Sequence, residues 1–493
     1  MSTTIDVTTD YEVVIGLEVH SQLLTKSKMF CGCSTDYANA APNTHVCPVC
    51  MGMPGMLPVI NQEAVAGIIK TALALNCTIP KFSKFDRKNY PYPDLMKGYQ
   101  ISQYDIPLSN NGYVMVEHNG KERRIGITRV HLEEDTARLL HRDGYSLVDV
   151  NRAGTPLMEI VSEPDMRDPE EARLYMQKLR EILVYLGVSS GRMEEGSLRC
   201  DANISVRKRG ETKLGVKVEI KNMNSFRSVQ RALEYEVQRQ IEMARNGEVI
   251  RQETRGWVET RGVTVSQRSK EEADDYRYFP EPDLPPLVID PAWVEQLRAS
   301  LPELPDARRL RYHKELGLST QDANVLTEDK ALGDYFEQVL SAGGTGEIKT
   351  RAKAANKWLS EVVRLLKLNN LSIQDSPLTP ASLVNLLNLL DKGRITGTQA
   401  KEVLEEAYTT GELPEEIVTR KGIKPPISDQ NELERIVEEV IAKNPKPAND
   451  YRAGKVNAVQ ALVGQVMKQT RGQAKADIVL SLLKAKLDEG ASA

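Results

Sequence analysis

Carboxylate and imidazole side chains recur on one face of several predicted strands in the first half of the chain. In the segment 13–20 the odd positions are apolar, so Glu18 and His20 share the opposite face of a strand. The same alternation predicts one polar face in three further segments. A fourth β-like run contains an acid as well. The residues concerned are His131, Glu133, Asp201, Asn203, Glu219 and, in the fourth run, Glu159, with Glu134 adjacent to Glu133.

This acidic face has two interpretations. Alternation alone predicts a polar side on any half-exposed strand, so the acids could be merely solvated. Carboxylates with an occasional imidazole also suit Mg²⁺, a hard cation that prefers oxygen ligands and keeps waters for phosphate groups. Because a cluster of carboxylates repels itself and a divalent ion relieves that repulsion, we predict a magnesium site on this face.

The absence of familiar phosphate-binding motifs narrows the chemistry. The sequence has no GxxxxGK[ST] loop, no GxGxxG after a strand and no GxSxG turn, and the segment 343–350 resembles the first of these only superficially. A phosphate-using enzyme of this kind would depend on a metal and on cationic side chains. Arg87, Lys88 and Arg152 are the candidates, although a single residue of this kind is more often an ordinary surface charge.

Four cysteines have the spacing of a zinc site. Cys31 and Cys33 are followed, after thirteen residues, by Cys47 and Cys50. Two close pairs of thiols predict a tetrahedral Cys₄ zinc site, which has no open position for a substrate and is therefore structural. The alternative is four unrelated buried or free cysteines.

Composition is typical of a soluble globular protein. The 493 residues are 40% hydrophobic and 27% charged, with a net charge of −4, which excludes a protein that is basic throughout. Six cysteines, four of them in metal spacing, favour a reducing compartment. No apolar run approaches the length of about 18 residues that spans a bilayer, and the first residues do not resemble a signal peptide. We therefore predict a cytoplasmic protein without a membrane segment.

The order of predicted elements indicates an α+β fold in three parts. Residues 1–295 form a mainly antiparallel sheet with helices, and the Pro-rich segment 278–291 is interpreted as its exit linker. Residues 296–410 are predicted to be helical, with one helix capped by Thr379 and stopped by Gly393. Residues 411–493 form a helical tail.

The tail has a basic bias. Between Lys443 and Lys475 it carries seven Lys or Arg residues against the single acid Asp450. This bias predicts contacts with RNA phosphates, the alternative being an ordinary solvated helix surface. The basic residues are Lys443, Lys446, Arg452, Lys455, Lys468, Arg471 and Lys475.

Long blocks of the sequence resemble the B subunits of bacterial aspartyl/glutamyl-tRNA amidotransferases (the GatB family). They include IGLEVHSQL (15–23), SKFDRKNYPYPD (83–94), IGITRVHLEEDTARL (125–139), NRAGTPLMEIVSEPD (151–165), MEEGSLRCDANISV (193–206) and DDYRYFPEPDLPPL (274–287), and the likeness runs from about residue 11 to residue 487. It implies a cradle-like catalytic domain, a helical domain and a tail domain that contacts tRNA. It also implies that ATP phosphorylates glutamate on tRNA(Gln), or aspartate on tRNA(Asn), and that ammonia then displaces the phosphate.

The resemblance further implies two partners in a heterotrimer: an amidase (the A subunit), which frees ammonia from glutamine, and a small third protein (the C subunit). The chain itself shows no glutaminase nucleophile, since Cys77 lies in an apolar helical pattern and Cys200 on the apolar side of a strand. The archaeal relative carries a synthetase-like insertion for which this chain has no room. Whether glutamate, aspartate or both are substrates stays open.

Residues and resemblance together give the predicted site. Glu133, Glu134 and Lys88 are the predicted catalytic residues, and Lys88 and Arg152 would contact ATP. Seven groups are candidates for one or two Mg²⁺ ions, some of them behind the direct ligands: Glu18, His20, Glu133, Glu134, Glu159, Asp201 and Glu219. Two other classes remain as alternatives, a zinc-stabilised tRNA-binding module and a metal-dependent phosphoesterase.

Overall fold

Alternating apolar residues in the first half of the chain form a large sheet, and the second half is helical. The computed structural model describes residues 10–269, 276–343, 346–425, 430–470 and 473–489. The chain divides into two compact units, Met1–Pro305 and Asp306–Ala493. The α+β class and the mainly antiparallel sheet are confirmed.

The strands of the described residues are β1 (Tyr11–Gln22), β2 (Phe82–Ser83), β3 (Asp86–Asn89), β4 (Tyr99–Ser102), β5 (Ser109–His118), β6 (Lys121–Glu134), β7 (Arg138–Arg142), β8 (Tyr145–Asp149), β9 (Pro156–Ser162), β10 (Leu198–Lys208), β11 (Val218–Met223), β12 (Glu253–Val258), β13 (Val263–Ser269), β14 (Phe279–Pro280) and β15 (Leu287–Val288). The helices are α1 (Gln62–Ala74), α2 (Pro169–Tyr185), α3 (Phe226–Arg245), α4 (Pro291–Ala299), α5 (Pro305–Lys314), α6 (Thr320–Glu328), α7 (Lys330–Ser341), α8 (Ile348–Leu368), α9 (Pro380–Asp391), α10 (Gly397–Thr410), α11 (Pro414–Arg420), α12 (Gln430–Lys443), α13 (Pro445–Arg452), α14 (Val459–Gln469) and α15 (Ala476–Glu489).

The main sheet has eight strands in the order β13-β12-β11-β10-β1-β9-β6-β5. All neighbours are antiparallel except β11 and β12. The five strands that carry the predicted acidic face are therefore consecutive in this sheet. A separate three-stranded sheet, β14-β3-β4, holds the segment that contains Lys88.

The two faces of the main sheet differ because β1 alternates. Ile15, Leu17 and Val19 are buried in the core that includes residues of α1, α2 and α3. The intervening side chains, including Glu18 and His20, therefore lie on the other face. Each of the three helices begins at a capping side chain, Asn61, Asp168 or Ser225, which accepts hydrogen bonds from backbone N–H groups of the first turn.

Two local predictions were wrong. The Pro-rich segment is no exit linker, because β14 pairs with β3 and β15 pairs with β2, within the first unit. Proline content marks where regular structure is interrupted, but it does not reveal pairing with strands far away in sequence. The alternation of Val216, Val218 and Ile220 in the sequence also predicts that Val216 lies on the buried face, yet it precedes β11 and is 43% exposed.

The second unit contains two hydrophobic cores. The first is built from α5 to α11 and includes Tyr312, Trp358 and Ile417. The second is built from α12 to α15, starting at Leu433. The predicted helix after Thr379 is confirmed as α9, with Thr379 accepting a hydrogen bond from the Ser382 N–H. The division into domains at residues 295 and 410 stays a prediction.

Among the described residues, no helix has the length and apolar character needed to cross a membrane.

Candidate functional site

Three adjacent strands bring His20, Glu159 and Glu133 together. The register pairs His20 of β1 with Glu159 of β9, and Glu159 in turn with His131 of β6. The Nε2 atom of His20 lies 3.6 Å from Glu133 Oε1 and 3.5 Å from Glu159 Oε2. One donor atom from each of the three residues lies within 4.8 Å of the others, so a single cation could contact all three. We call His20, Glu133 and Glu159 the His–Glu cluster.

The electrostatics of the cluster follow from two carboxylates in one buried space. Burial and the neighbouring Glu159 raise the pKa of Glu133. Burial would also raise the pKa of Glu159, but His131 and His20 hold it well below its usual range. Burial opposes the charge on His20, yet Glu159 and Glu133 raise its pKa to about 9. The cluster thus attracts positive charge, which a divalent cation would also supply.

His131 completes the surroundings of the cluster. Its Nε2 atom lies 3.4 Å from Glu159 Oε2, while its buried Nδ1 atom has no hydrogen-bond partner among the described residues. A donor set of carboxylates with one imidazole fits a hard divalent cation that completes its coordination with water or phosphate oxygens. The residues present therefore fit the predicted Mg²⁺.

Lys88 lies beside the His–Glu cluster. Its Nζ atom is 4.9 Å from the centre of the Tyr276 ring and 5.9 Å from that of Tyr90. Burial would lower the pKa of Lys88, but the nearby Glu133, Tyr278 and Glu159 together raise it, so the side chain is a cation. Its neighbour Arg87 makes two hydrogen bonds of 2.7 Å to Glu281 instead.

A second acidic group occupies the same face on β1, β10 and β11. Glu18 pairs in register with Asp201, and Asn203 with Glu219. Lys221 Nζ lies 2.7 Å from Asp201 Oδ2 and 3.3 Å from Glu219 Oε1. A cation of the chain therefore already compensates part of this group.

Partners and a cavity flank Glu18 in this second group. The Asn203 amide donates a hydrogen bond of 3.1 Å to Glu18. A cavity with an accessible volume of about 180 Å³ opens beside Glu18, lined among others by Gly16, Gly215 and Lys217. Glu18 thus faces open space, whereas the other two acids of the group contact Lys221.

Glu134 and Arg152 make their contacts outside the His–Glu cluster. Glu134 follows Glu133 on β6 and so points to the opposite face, where Lys97 Nζ lies 2.6 Å away and the Ile101 N–H donates at 3.0 Å. Arg152 donates to the backbone carbonyls of Thr136 at 2.9 Å and Ala137 at 3.1 Å. Their predicted roles at the metal and at ATP stay predictions.

The four predicted zinc ligands lie together. One Sγ atom from each of Cys31, Cys33, Cys47 and Cys50 lies within 4.8 Å of the others. Zn–S bonds of about 2.3 Å place the sulfurs of a tetrahedron roughly 3.8 Å apart, so the group fits a Zn²⁺ ion. The buried Lys28 ammonium, 3.6 Å from Cys50 Sγ, adds positive charge where thiolates would gather.

Sequence reasoning missed several residues around the site. It assigned no role to the tyrosines near Lys88, although two of the quoted blocks, 83–94 and 274–287, contain Tyr90, Tyr276 and Tyr278. It also missed that Lys221 neutralises Asp201. The signal for the tyrosines was their density in those blocks, whereas the contact of Lys221 depends on β10 and β11 being neighbours in the sheet, which neither strand's own pattern shows.

Comparison with known families places the chain clearly. Residues 13–295 match the family described as the GatB/GatE catalytic domain, and residues 334–487 match the GatB domain.

Curated relatives match over nearly their whole length. The B subunit of the aspartyl/glutamyl-tRNA(Asn/Gln) amidotransferase from Carboxydothermus hydrogenoformans is 54% identical over 484 residues, covering 97% of this chain and 99% of the relative. The protein of the same name from Dehalococcoides mccartyi is 55% identical over 492 residues, covering 98% and 100%. That from Moorella thermoacetica is 55% identical over 483 residues, covering 97% and 100%.

Proposed function

Because this chain belongs to the GatB family, we propose that it is the B subunit of an aspartyl/glutamyl-tRNA(Asn/Gln) amidotransferase. It is a ligase subunit that uses ATP and ammonia to convert glutamate on tRNA(Gln), aspartate on tRNA(Asn), or both, to the amide. The family membership and the name of the relatives support this activity. We place the reaction in the cytoplasm, where aminoacyl-tRNAs are made.

The reaction needs activation because a carboxylate has no good leaving group for ammonia to displace. Transfer of the γ-phosphoryl group of ATP to a side-chain oxygen gives an acyl phosphate and ADP. Ammonia then attacks the carbonyl carbon, the bond from carbon to the phosphate oxygen breaks, and a proton leaves the nitrogen. Phosphoryl transfer of this kind depends mainly on positioning and on neutralisation of charge.

We propose the His–Glu cluster as the centre for this step. The observation that supports this most directly is that three donor atoms converge within 4.8 Å of one another. His20, Glu133 and Glu159 would hold Mg²⁺, which supplies charge neutralisation for phosphate oxygens. Lys88, cationic and beside Glu133, would hold the phosphate or the substrate carboxylate. Glu18, Asp201 and Glu219 would orient the site or bind a transient second ion.

Other residues support the site in this proposal. Glu134 and Arg152 position the end of β6 and the segment that follows it, through Lys97 and through the carbonyls of Thr136 and Ala137. The four cysteines would hold a structural Zn²⁺.

Ammonia must come from a partner in our proposal. An amidase, the A subunit of the complex, would hydrolyse glutamine, and a small C subunit would complete the assembly. Of the two cysteines outside the zinc quartet, Cys200 is buried on the apolar face of β10 and burial raises the pKa of Cys77 to about 11, so neither suits a thiolate nucleophile. The purified chain should therefore release no ammonia from glutamine.

Reconstitution tests the proposal directly. The full-length chain with its two partner proteins, ATP and Glu-tRNA carrying labelled glutamate should form labelled glutamine only when glutamine or ammonia is supplied. With both withheld, a phosphorylated Glu-tRNA should accumulate. Amide formation without ATP, or glutaminase activity from the chain alone, would contradict the proposal.

A further inference from the structure

A group of tyrosines lies in the segments directly next to the strands β3, β4 and β14. The rings of Tyr104 and Tyr278 are stacked, with centroids 4.2 Å apart and planes 9° from parallel. Tyr276 lies edge-on to Tyr278 at 6.0 Å and to Tyr90 at 5.7 Å. We call Tyr90, Tyr104, Tyr276 and Tyr278 the tyrosine platform. Tyr104 is 52% exposed, so the platform has an open side.

The platform adjoins the proposed reaction centre. The Lys88 ammonium lies over Tyr276 at 4.9 Å. Burial raises the pKa of Tyr278, Lys88 opposes that rise, and the carboxylates of Glu159 and Glu133 add to it. The rings are therefore close enough to the His–Glu cluster to share its electrostatic field.

A cationic side chain flanks the stacked pair. Arg129, on the acidic face of β6, donates from Nη1 to the Tyr104 carbonyl at 3.2 Å. Its buried Nε atom has no hydrogen-bond partner among the described residues. A guanidinium group with a donor to spare beside an exposed aromatic ring is a typical combination for binding a nucleotide, since the ring stacks on the base and the guanidinium contacts a phosphate.

The chemistry of the substrate brings a base close to this point. The amino acid of an aminoacyl-tRNA is esterified to the ribose of the terminal adenosine. When its side-chain carboxylate reaches the His–Glu cluster, the terminal adenine is held nearby by a short covalent link. The base of a single-stranded RNA end is free to stack on aromatic side chains.

We propose that the tyrosine platform stacks on the terminal adenine of the aminoacyl-tRNA, with Arg129 contacting the adjoining phosphodiester. This inference rests on the proposed function. The adenine of ATP is the competing occupant, but one feature favours the RNA. The platform is open at Tyr104, which suits the end of a polymer.

The test uses the full-length chain and two fluorescent probes. One is uncharged tRNA whose terminal adenine is replaced by 2-aminopurine, and the other is 2-aminopurine riboside triphosphate with Mg²⁺. Stacking quenches 2-aminopurine, so binding of the tRNA probe should lower its fluorescence. Tyr104→Leu should abolish most of that quenching, Tyr104→Phe should retain it, and Tyr145→Leu serves as the control because Tyr145 is 60% exposed outside the platform.

Kinetics in the reconstituted complex separate the possible occupants. Tyr104→Leu should raise the KM for aminoacyl-tRNA by about tenfold or more and leave the KM for ATP unchanged, because one stacked base is lost. The inference would be overturned if Tyr104→Leu raised the KM for ATP alone, or if this variant quenched both probes as strongly as the wild-type chain does. The quenching assay needs no turnover, so it can show that the platform does not stack on adenine even while the complex still forms the amide. If the wild-type complex formed no amide, that result would instead refute the proposed function.

Discussion

Glu133 is the residue whose charge the proposed mechanism needs most. Glu133→Gln keeps the shape of the side chain but removes one negative charge from the His–Glu cluster, so the site should lose affinity for Mg²⁺ and stabilise phosphoryl transfer less well. We expect the kcat/KM for amidation to fall about a hundredfold or more. Steady-state amidation by the reconstituted complex measures it.

The control for this substitution is on the same strand. Glu122 is exposed at the start of β6, so Glu122→Gln should leave amidation unchanged. If Glu133→Gln retained full activity while binding tRNA normally, the chain would be a tRNA-binding module, and the residues that catalyse amidation would lie outside it.

Glu134 should behave differently from its neighbour. Its carboxylate pairs with Lys97 and accepts from the Ile101 N–H, so Glu134→Gln weakens a largely buried ion pair. We expect the free energy of unfolding to fall by about 2 kcal/mol, with Mg²⁺ affinity unchanged. Denaturant unfolding and magnesium titration measure the two effects.

A double-mutant cycle with Lys97→Met checks the cause. The two substitutions should be non-additive, because either one removes the same interaction. Loss of Mg²⁺ binding in Glu134→Gln would restore Glu134 to the metal site.

For single residues, the sequence predicted which face of a strand a side chain occupies better than it predicted which residue that side chain contacts. The period of two along β1 and β10 placed Glu18 and Asp201 on one side, and the sheet register bears this out. Glu134 could not be separated from Glu133 by residue type, because only its place in the alternation sends it to the other face. The contact of Lys221 with Asp201 depends on β10 and β11 being neighbours with Asn203 opposite Glu219, and the alternation within each strand does not show which strands pair.

The loop that carries the four cysteines is the element most dependent on a metal. It contributes little to the main core, and Asn151 holds it by accepting from the His45 N–H and donating to the Ala41 carbonyl. We expect about one Zn²⁺ per chain, and Cys47→Ser should reduce this to near zero. Loss of the ion should also make the segment 31–58 more sensitive to proteases.

Elemental analysis and limited proteolysis measure these effects. Cys77→Ser is the matched control, since Cys77 lies outside the quartet and should leave the zinc content unchanged. Equal zinc contents in the two variants would show that the quartet does not bind the metal.

Elements defined by local signals were predictable, and those defined by distant pairing were not. Thr379 followed by proline and then an apolar stripe predicted α9, because helix caps act within one turn. Strands β14 and β15 have two residues each and are held by partners about two hundred residues earlier, so their sequence resembles a linker. The zinc quartet was predictable because ligand spacing is itself local.

For the whole molecule, the question is where the tail begins. Ile417 of α11 is buried in the core shared with α9 and α10, whereas the second core of the helical unit starts at Leu433. The predicted start at residue 411 therefore falls inside the first of these cores. A cut at residue 425 removes the second core and leaves the first complete.

The basic residues of the tail are exposed where the structure describes them. Lys446, Arg452, Lys468 and Lys475 lie on its surface, and Arg471 lies outside the described residues. Lys443 and Lys455 are also exposed but pair with Glu439 and Asp450. Lys446, Arg452, Lys468 and Lys475 therefore carry positive charges that no salt bridge among the described residues neutralises, which suits contact with RNA phosphates.

Removal of the tail should weaken tRNA binding without affecting the His–Glu cluster. We expect a chain ending at residue 425 to bind tRNA about tenfold or more weakly than the full chain and to bind Mg²⁺ normally, because each lost phosphate contact lowers affinity and flattens the salt dependence by about one unit of log–log slope. Lys446→Ala with Lys468→Ala should reproduce part of the loss in a chain that keeps its tail. Lys353→Ala with Lys357→Ala, exposed lysines of α8, is the matched control. If affinity and salt slope were unchanged in both the truncated chain and the tail double variant, the tail's basic residues would be solvated surface and the grip on tRNA would belong to the rest of the chain.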